Sequence, residues 1–295
     1  MALHPQARAA LAQWAEGPSV TDDDYDLAEQ RRLARVQAAT EPREPVARVE
    51  DVDADGVPCR FYRPDGADGV VVFLHGGGFV FGDLETHDAQ SRRLANRTGR
   101  AVLTVDYRRP PEHRFPSAPD DVDTAVAWLL THATELAVDP ARVVALGDSA
   151  GGNLALVAAL RNPRVFAATV LVYPFLDPRT GSASYRSEAG GLGVEEARWF
   201  WEQYAGPVGD LTDPDLAPLG SPHLAVLPPS LVVVAEHDPL VDEDVELARL
   251  LEAAGVATTL STYPGMVHGF WTHPEQFDAA EESLAEIAAW LQRTL

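Results

Sequence analysis

The chain has 295 residues, which is enough for one large domain or two small ones and for an extensive hydrophobic core. Hydrophobic residues make up 46% of the sequence and charged residues 23%, and this ordinary balance excludes a disordered, collagen-like or coiled-coil chain. The formal net charge of −22 would repel phosphate backbones and anionic lipids, so we expect neither a nucleic-acid partner nor a membrane partner.

The first predicted elements are helices, and alternating strands and helices follow them. Residues 1–45 contain Leu27, Leu33 and Val36 at helical spacing and end in the proline-containing segment EPREPV. Beyond them, short apolar runs bounded by Gly, Pro and Asp predict buried strands at residues 70–74, 101–105, 143–146, 169–173 and 231–235. Segments of helical length and period lie at residues 120–132, 153–160, 244–254 and 276 to about 292. This alternation predicts an α/β protein with a mostly parallel sheet and helices on both faces.

Residues 179–227 depart from the alternation because they show no clear strand. They contain Gly190, Gly191 and the aromatic residues Trp199, Phe200, Trp201 and Tyr204. We expect a helical insertion that joins residues 1–45 in a cap over the sheet, within a single domain of residues 1–295. The aromatic side chains could instead be ordinary core residues, and the sequence does not decide between these two roles.

A predicted strand, a sharp turn and a predicted helix follow one another at residues 143–156, VVALGDSAGGNLAL. The turn is Gly147-Asp148-Ser149-Ala150-Gly151, a G-x-S-x-G pattern whose flanking glycines allow the strand and the helix to pass closely. Such a turn exposes the serine hydroxyl, and the following helix directs its amino-terminal N–H groups toward it. Ser149 is therefore the candidate nucleophile, although glycine and serine are common enough for the pattern also to arise by chance.

A second glycine-rich segment, residues 70–82 with the sequence VVVFLHGGGFVFG, joins a predicted strand to His75-Gly76-Gly77-Gly78. Consecutive glycines let backbone N–H groups converge on one point, where they can stabilise the oxyanion that forms when a carbonyl is attacked. We predict the N–H groups of Gly77, Gly78 and Ala150 as donors, with Gly76 and Gly77 as the alternative register. A phosphate-binding loop is disfavoured because no Lys-Ser or Lys-Thr follows and because position 81 is Phe.

These two motifs, HGGG followed by GDSAGG, make the chain resemble the hormone-sensitive-lipase family of α/β-hydrolases, a group of bacterial esterases. Residues 106–113, DYRRPPEH, are similar to the family's DYRLAPEH, with Arg109 and Pro110 at the two positions that differ. Residues 236–240, EHDPL, resemble the block that carries the family's acid, and residues 268–270, HGF, the block that carries its base. The resemblance runs from about residue 50 to the carboxyl terminus and implies an α/β-hydrolase fold.

The resemblance implies that Ser149, Asp238 and His268 form a Ser-His-Asp triad. Their chain order is the one expected of this fold, and Asp238 follows a predicted strand at the edge where open α/β sheets gather their sites. A triad needs a base within hydrogen-bond reach of the serine and an acid that orients the imidazole. Asp242 and Asp244 are nearby alternatives for the acid.

Residues beside the predicted catalytic groups are candidates for contact with substrate. They flank those groups in the sequence, and they are Phe79, Phe81, Leu240 and Val241. Asp148 and His75 also lie next to the predicted site. We expect these two side chains to hold neighbouring loops in place rather than to transfer protons.

The predicted function is hydrolysis of carboxylic esters through an acyl-enzyme, without a metal or an organic cofactor. A cap over the pocket favours small, short-acyl esters, and the acidic sequence shows no anchor for a lipid surface. Amide, lactone or carbamate hydrolysis would use the same residues and stays open. A ligand-binding protein on a hydrolase scaffold, such as the plant gibberellin receptors, would be expected to lack a triad member, and here all three are present.

The cysteine content and the apolar segments indicate the cellular compartment in which the protein is expected. Cys59 is the only cysteine and cannot form an internal disulfide, and no CxxC or HExxH spacing predicts a metal site. Residues 1–17 interrupt their apolar residues with His, Gln, Arg and Glu, unlike a signal peptide. The longest apolar stretch, residues 154–160, is far shorter than the ~20 residues of a membrane helix. We therefore expect a cytoplasmic protein that acts on a small ester, and the sequence leaves open whether it forms a homodimer.

Overall fold

The computed structural model describes residues 2–187, 190–207 and 209–295. Its central element is an eight-stranded sheet in the order β1-β2-β4-β3-β5-β6-β7-β8. The strands are β1 Arg48–Ala54, β2 Val57–Arg63, β3 Val70–Leu74, β4 Ala101–Val105, β5 Val143–Asp148, β6 Ala168–Val172, β7 Ser230–His237 and β8 Thr258–Val267. Strand β2 is antiparallel to both neighbours, and the pairs from β4 to β8 are parallel. The predicted mostly parallel sheet is confirmed.

Helices cover both faces of this sheet. They are α1 Pro5–Trp14, α2 Leu27–Ala38, α3 Asp88–Thr98, α4 Ser117–His132, α5 Ala150–Arg161, α6 Ser184–Ser187, α7 Val194–Ala205, α8 Val241–Ala253 and α9 Asp278–Thr294. Successive side chains of a strand point to opposite faces. In β3, Val70, Val72 and Leu74 accordingly pack with residues of α4, α5 and α8. Val71 and Phe73 pack with residues of α1, α3 and α9 on the other face, so the predicted two-sided packing is confirmed.

The apolar runs of the sequence do not predict β1, β2 and β8. Strands β1 and β8 form the two edges of the sheet and carry many exposed or half-exposed positions, so neither needs a continuous apolar run. Strands β1 and β2 meet at Asp55-Gly56, where both residues have positive φ angles of 54° and 95°. This dipeptide is typical of a tight β-hairpin and is the local signal for these two strands.

The N-terminal segment divides between two places in the fold. In α1, Ala7 and Ala10 are buried in the core on the α9 face of the sheet. Helix α2 lies instead beside the loop that follows β3, where the Arg31 guanidinium donates hydrogen bonds to the carbonyl oxygen of Val80. Helix α2 is therefore placed to cover the carboxyl ends of the strands, and Trp14 at the end of α1 packs on His273 at the same edge.

The insertion at residues 179–227 contributes α6, α7 and irregular chain, and its residues 188, 189 and 208 lie outside the described part of the structure. In α7, Trp201 and Tyr204 are buried and join the core on the α5 face of the sheet. Phe200 is half-buried and lines a cavity above the sheet. The aromatic residues of α7 thus serve both as core and as cavity wall.

Candidate active site

Ser149 lies at the sharp turn between β5 and α5. Its backbone has φ 52° and ψ −119°, a strained conformation for a residue with a side chain. A Cβ on Gly147 would collide with the carbonyl oxygen of Gly151, and a Cβ on Gly151 with that of Leu74. The two glycines are therefore required by the close approach of strand and helix. Together they hold Ser149 at the carboxyl end of a central strand.

His268 links Ser149 to Asp238 through its two ring nitrogens. Its Nε2 lies 3.0 Å from Ser149 Oγ, and its Nδ1 lies 2.8 Å from Asp238 Oδ2. Asp238 is fully buried, and its Oδ1 accepts a hydrogen bond of 2.9 Å from the N–H of Leu240. A buried carboxylate held in this way fixes the tautomer that leaves Nε2 able to accept the serine proton.

The two alternative acids of the sequence have other surroundings. Asp242 Oδ2 accepts a hydrogen bond of 2.8 Å from the N–H of Ser184, in the insertion. Asp244 is fully buried, and neither of its oxygens has a hydrogen-bond partner in the described part of the chain. Burial, with the neighbouring Asp238 and Glu243, raises the pKa of this carboxyl well above its usual range and so disfavours its charged form. Asp238 is therefore the carboxylate placed to orient His268.

Asp148 holds the glycine loop, which we define as residues 75–82. Its Oδ1 accepts a hydrogen bond of 3.0 Å from the N–H of Gly76, and a Cβ on Gly76 would collide with the Asp148 carboxyl group. Burial raises the pKa of Asp148 to about 7. Because Asp148 already occupies the N–H of Gly76, the register of donors that begins at Gly77 is favoured over the one that begins at Gly76.

Gly77, Gly78 and Ala150 present N–H groups at the turn that holds Ser149. Gly77 and Gly78 have φ angles of 110° and 59°, which favour glycine. Among the described residues, no acceptor is found for the N–H of either glycine. Ala150 is the first residue of α5, where a backbone N–H has no partner inside the helix. In the described part of the chain, these three N–H groups are therefore left without an acceptor, in the glycine loop and next to Ser149.

His75 supports the glycine loop from within the core. It is fully buried, and its ring stacks on Tyr107 at 4.3 Å and on His87 at 4.9 Å between ring centroids. Its Nδ1 lies 2.9 Å from the carbonyl oxygen of Gly76. Burial lowers the pKa of His75 to about 3, so the ring is neutral and packs as a structural group.

A cavity of about 430 Å³ opens at Ser149. Its apolar wall is formed by Phe81, Phe175, Leu192 and Phe200. Its polar wall includes Thr86, His87, Thr272 and His273. Ala34 of α2 completes the cover, so segments from both parts of the expected cap line the cavity.

Of the four residues expected to contact substrate, Phe81 lines this cavity, whereas Phe79, Leu240 and Val241 do not. Phe79 is fully buried and stacks on Tyr204 at 3.8 Å, because the tight turn of the glycine loop directs it into the core below α7. Leu240 is also fully buried, and Val241 begins α8 outside the cavity wall. Proximity in sequence to Asp238 therefore does not bring Leu240 and Val241 to the cavity.

Several cavity residues carry no signal in the motifs. Phe175 follows β6, Leu192 lies in the insertion, and Thr272 follows the HGF block. The carboxyl end of β6 was the available signal for Phe175, because parallel strands end at one edge of the sheet. Leu192 and Thr272 depend on tertiary packing and have no such signal.

The described residues offer neither a membrane-spanning helix nor a cluster of metal-binding side chains. In that part of the chain, no helix is long and apolar enough to cross a bilayer. The same residues contain no group of three or more His, Cys, Asp or Glu side chains that could hold a metal ion.

The chain is similar in sequence to known α/β-hydrolases and ester hydrolases. A family model described as the α/β hydrolase fold matches residues 71–272. The ethyl acetate hydrolase of Pseudomonas putida is 37% identical over 255 residues, covering 82% of this chain and 80% of that protein. Carboxylesterase NlhH of Mycobacterium tuberculosis is 37% identical over 284 residues, covering 89% of this chain and 88% of that protein.

Solved structures show the same similarity over the length of the chain. An esterase of Pyrobaculum calidifontis has a TM-score of 0.88 at 36% identity and covers 99% of this chain and 98% of its own. An esterase from the bacterial hormone-sensitive lipase family has a TM-score of 0.88 at 28% identity and covers 100% of this chain and 99% of its own. The similarity therefore includes the N-terminal segment and the insertion.

Proposed function

The chain belongs to the α/β-hydrolase family, within its bacterial hormone-sensitive-lipase group, and we propose that it is a serine carboxylesterase that cleaves small, short-acyl esters. Membership of this group confirms the resemblance seen in the motifs. The observation that carries the proposal is the hydrogen-bonded series from Ser149 through His268 to Asp238, whose first two members line one cavity. The relatives of this chain that are named ethyl acetate hydrolase and carboxylesterase support ester hydrolysis as the reaction.

The first half of the reaction transfers the acyl group to Ser149. Oγ attacks the ester carbonyl carbon while His268 Nε2 accepts the hydroxyl proton, and the Asp238 carboxylate stabilises the imidazolium. The N–H groups of Gly77, Gly78 and Ala150 donate to the carbonyl oxygen as it becomes negative. The tetrahedral intermediate collapses, the bond to the alcohol oxygen breaks, and His268 returns its proton to the departing alcohol.

The second half of the reaction releases the acid. Water enters beside His268 Nε2, which accepts a proton as the water oxygen attacks the acyl carbon. The same N–H groups hold the second oxyanion, and the bond to Ser149 Oγ breaks as Oγ regains a proton from the imidazolium. The products are one alcohol and one carboxylic acid, and the enzyme returns to its starting state.

Substrate size follows from the dimensions and covering of the cavity. Its volume of about 430 Å³ is near the lower end of small-molecule sites, and acyl and alcohol groups must share it. Aromatic side chains, Phe81, Phe175 and Phe200, form its apolar wall. We therefore assign short acyl chains, roughly two to eight carbons, to this space, because burying each CH₂ group contributes only where the cavity can hold it.

The cap is a proposal that two contacts support. We infer that residues 1–45 and 179–227 cover the site as parts of one domain. The carbonyl oxygen of Gly190 accepts a hydrogen bond of 3.0 Å from the N–H of His268, which ties the insertion to the proposed base. Ala34 and Phe200 line the cavity from α2 and α7. Both segments therefore control access to Ser149.

A cytoplasmic location is also proposed, and the cysteine supports it. Cys59 is buried, and burial raises the pKa of its thiol to about 12. A single buried thiol without a partner suits a reducing compartment, where structural disulfides are rare. Fractionation of cells that express the chain at native level, followed by blotting, tests this assignment.

The experiment that tests the function combines a covalent probe with one variant. A fluorophosphonate should label the wild-type chain and leave Ser149→Ala unlabelled. The same variant should lose about 10⁴- to 10⁶-fold in hydrolysis of p-nitrophenyl butyrate while its circular dichroism spectrum stays unchanged. Labelling of the Ser149→Ala chain, or a tenth of wild-type turnover in it, would contradict the assignment.

A further inference from the structure

A second cavity, of about 570 Å³, lies at the opposite end of the sheet from Ser149. Arg100 and Arg142 in its wall precede β4 and β5, whereas Ser149 follows β5, so a strand separates the two sites. The remaining wall comes from Asp68, Asn96, Arg97, Thr98, Gly99, Ala285, Ala288, Ala289 and Gln292. We call this the arginine cavity.

Two of its three arginines are neutralised by carboxylates. Arg97 pairs with Glu44 at 2.7 Å and with Glu281 at 3.1 Å. Arg142 pairs with Asp68. These two guanidinium groups therefore leave little uncompensated charge in the cavity.

Arg100 is different because it is buried and no carboxylate contacts its guanidinium among the described residues, although the Asp68 carboxylate that pairs with Arg142 lies nearby. Only 5% of the residue is exposed, and no hydrogen bond or ion pair of its side chain is found among the described residues. Its Nη1 is a buried donor without an acceptor. Burial, together with the nearby Arg142, lowers the pKa of Arg100 below its usual value. A buried, unpaired cation is costly, and an anion beside it would remove that cost.

We propose that the arginine cavity binds a small oxyanion, a carboxylate or a phosphate group, with the Arg100 guanidinium as its main partner. The planar guanidinium matches the two oxygens of either group. Asn96, Thr98 and Gln292 add polar groups to the wall. Among the described residues, Arg100 is the arginine of this cavity whose guanidinium no carboxylate contacts, so it is the group free to pair with an added anion.

The rest of the cavity wall indicates which group the anion can carry. The charge of the whole chain indicates where on the protein an anion can bind. Ala285, Ala288 and Ala289 of α9 supply small apolar surface, which leaves room for a short aliphatic group attached to the anion. The net charge of −22 opposes general accumulation of anions on the protein. Saturable anion binding by this chain must therefore come from a local site.

The test measures binding of two anions, sodium phosphate and sodium butyrate, by calorimetry and by thermal unfolding, with sodium chloride at matched ionic strength as reference. We expect saturable stabilisation of the wild type, and because butyrate can also enter the cavity at Ser149, the anion whose binding depends on Arg100 identifies the preferred group. Arg100→Met, which keeps the aliphatic stem, should weaken its binding by about tenfold or more. Without added anion the same variant should unfold at a higher temperature, because it lacks the unpaired buried charge. Arg249→Met, at an exposed helix position outside the cavity, is the matched control.

A second variant tests whether removing a negative charge from the arginine cavity strengthens anion binding. Asp68→Asn removes the carboxylate that pairs with Arg142, and its side chain is 62% exposed, so the fold should tolerate the change. Releasing Arg142 should tighten anion binding by about threefold or more. Equal binding by wild type, Arg100→Met and Asp68→Asn, or no saturable binding of either anion by the wild type, would overturn the proposal.

Discussion

Arg31, on α2, holds the carbonyl oxygen of Val80, three residues after Gly77 in the glycine loop. Its Nε and Nη2 lie 3.0 and 2.8 Å from that oxygen, and Nη2 also donates to the carbonyl of Pro110 at 2.6 Å. The N–H of Val80 in turn donates to the carbonyl oxygen of Gly77 at 3.0 Å. Arg31 thereby joins the N-terminal segment to the turn that carries the proposed oxyanion donors.

The first prediction is that Arg31 positions these donors. Arg31→Lys keeps the charge but loses the planar fork, so kcat for p-nitrophenyl butyrate should fall about 10- to 100-fold with little change in KM. The affinity of a trifluoromethyl ketone inhibitor, which forms an oxyanion on Ser149, should fall by a similar factor. Arg32→Lys is the control, since Arg32 is exposed and pairs with Glu29 on the same helix. A loss of stability in Arg31→Lys with kcat unchanged would show that the contact is only structural.

The second prediction separates the proposed acid from its neighbour. Asp238→Asn should lower kcat by up to about 10⁴-fold, because an amide at this position favours the wrong imidazole tautomer. Asp242→Asn should have a mild effect, since Asp242 accepts a hydrogen bond from Ser184 and does not contact His268. Single-turnover kinetics of both variants show which of the two carboxylates orients His268. If kcat falls strongly in Asp242→Asn and hardly changes in Asp238→Asn, the assignment of Asp238 as the acid is wrong.

The third prediction concerns pH and Asp148, whose pKa is raised to about 7 by burial. Between pH ~4, where an unfolded aspartate titrates, and pH ~7, the folded chain binds this proton more tightly. The contribution of Asp148 to stability is therefore full below pH ~4 and is lost as pH rises through ~7. Asp148→Asn retains an acceptor for the N–H of Gly76 and removes the titration.

The measurement for Asp148 is denaturant unfolding of both proteins at pH 5 and pH 8. The free energy of unfolding of Asp148→Asn relative to wild type should rise from pH 5 to pH 8 by up to about 3 kcal/mol, because about two of the three pKa units of the shift lie above pH 5. The other titratable groups are the same in both proteins, so their contributions to the free energy of unfolding cancel when the two proteins are compared at one pH. Parallel pH profiles would show that Asp148 does not titrate in this range.

The sequence predicted the central strands well because they are buried on both faces. A strand such as β5, in which every residue is buried, appears in the sequence as a nearly continuous apolar run. Strands β1 and β8 lie at the edges and include many exposed positions, so periodic burial is weak there. Edge strands depend on pairing with a neighbour, which a search for apolar runs does not detect.

Local geometry explains which site residues could be predicted. The turn at Ser149 requires glycines at fixed positions, and this requirement is visible in sequence. Phe79 and Phe81 are two residues apart and look equivalent, yet the tight turn sends Phe79 into the core and Phe81 to the cavity. That difference depends on how α7 packs over the glycine loop, and no local pattern encodes it.

The last prediction concerns acyl length and uses Phe79 as a control. Phe200 closes the cavity at the glycine loop, where a Cβ on Gly78 would collide with its ring, and it meets Phe81 edge-on at 6.2 Å. We expect the wild type to cleave p-nitrophenyl butyrate much faster than the palmitate ester, because this aromatic wall limits the acyl chain. Phe200→Ala removes part of the wall, so its kcat/KM ratio of octanoate to butyrate should rise by about tenfold.

Phe79→Ala should behave differently because Phe79 is stacked on Tyr204 outside the cavity. It should lower the free energy of unfolding by about 3–5 kcal/mol and leave the order of acyl preference unchanged. Equal wild-type efficiency on palmitate and butyrate would favour a true lipase over an esterase. An octanoate-to-butyrate ratio that rises in Phe79→Ala but not in Phe200→Ala would place the acyl group among the core aromatics below α7, because only the wall that an acyl chain touches can set its length.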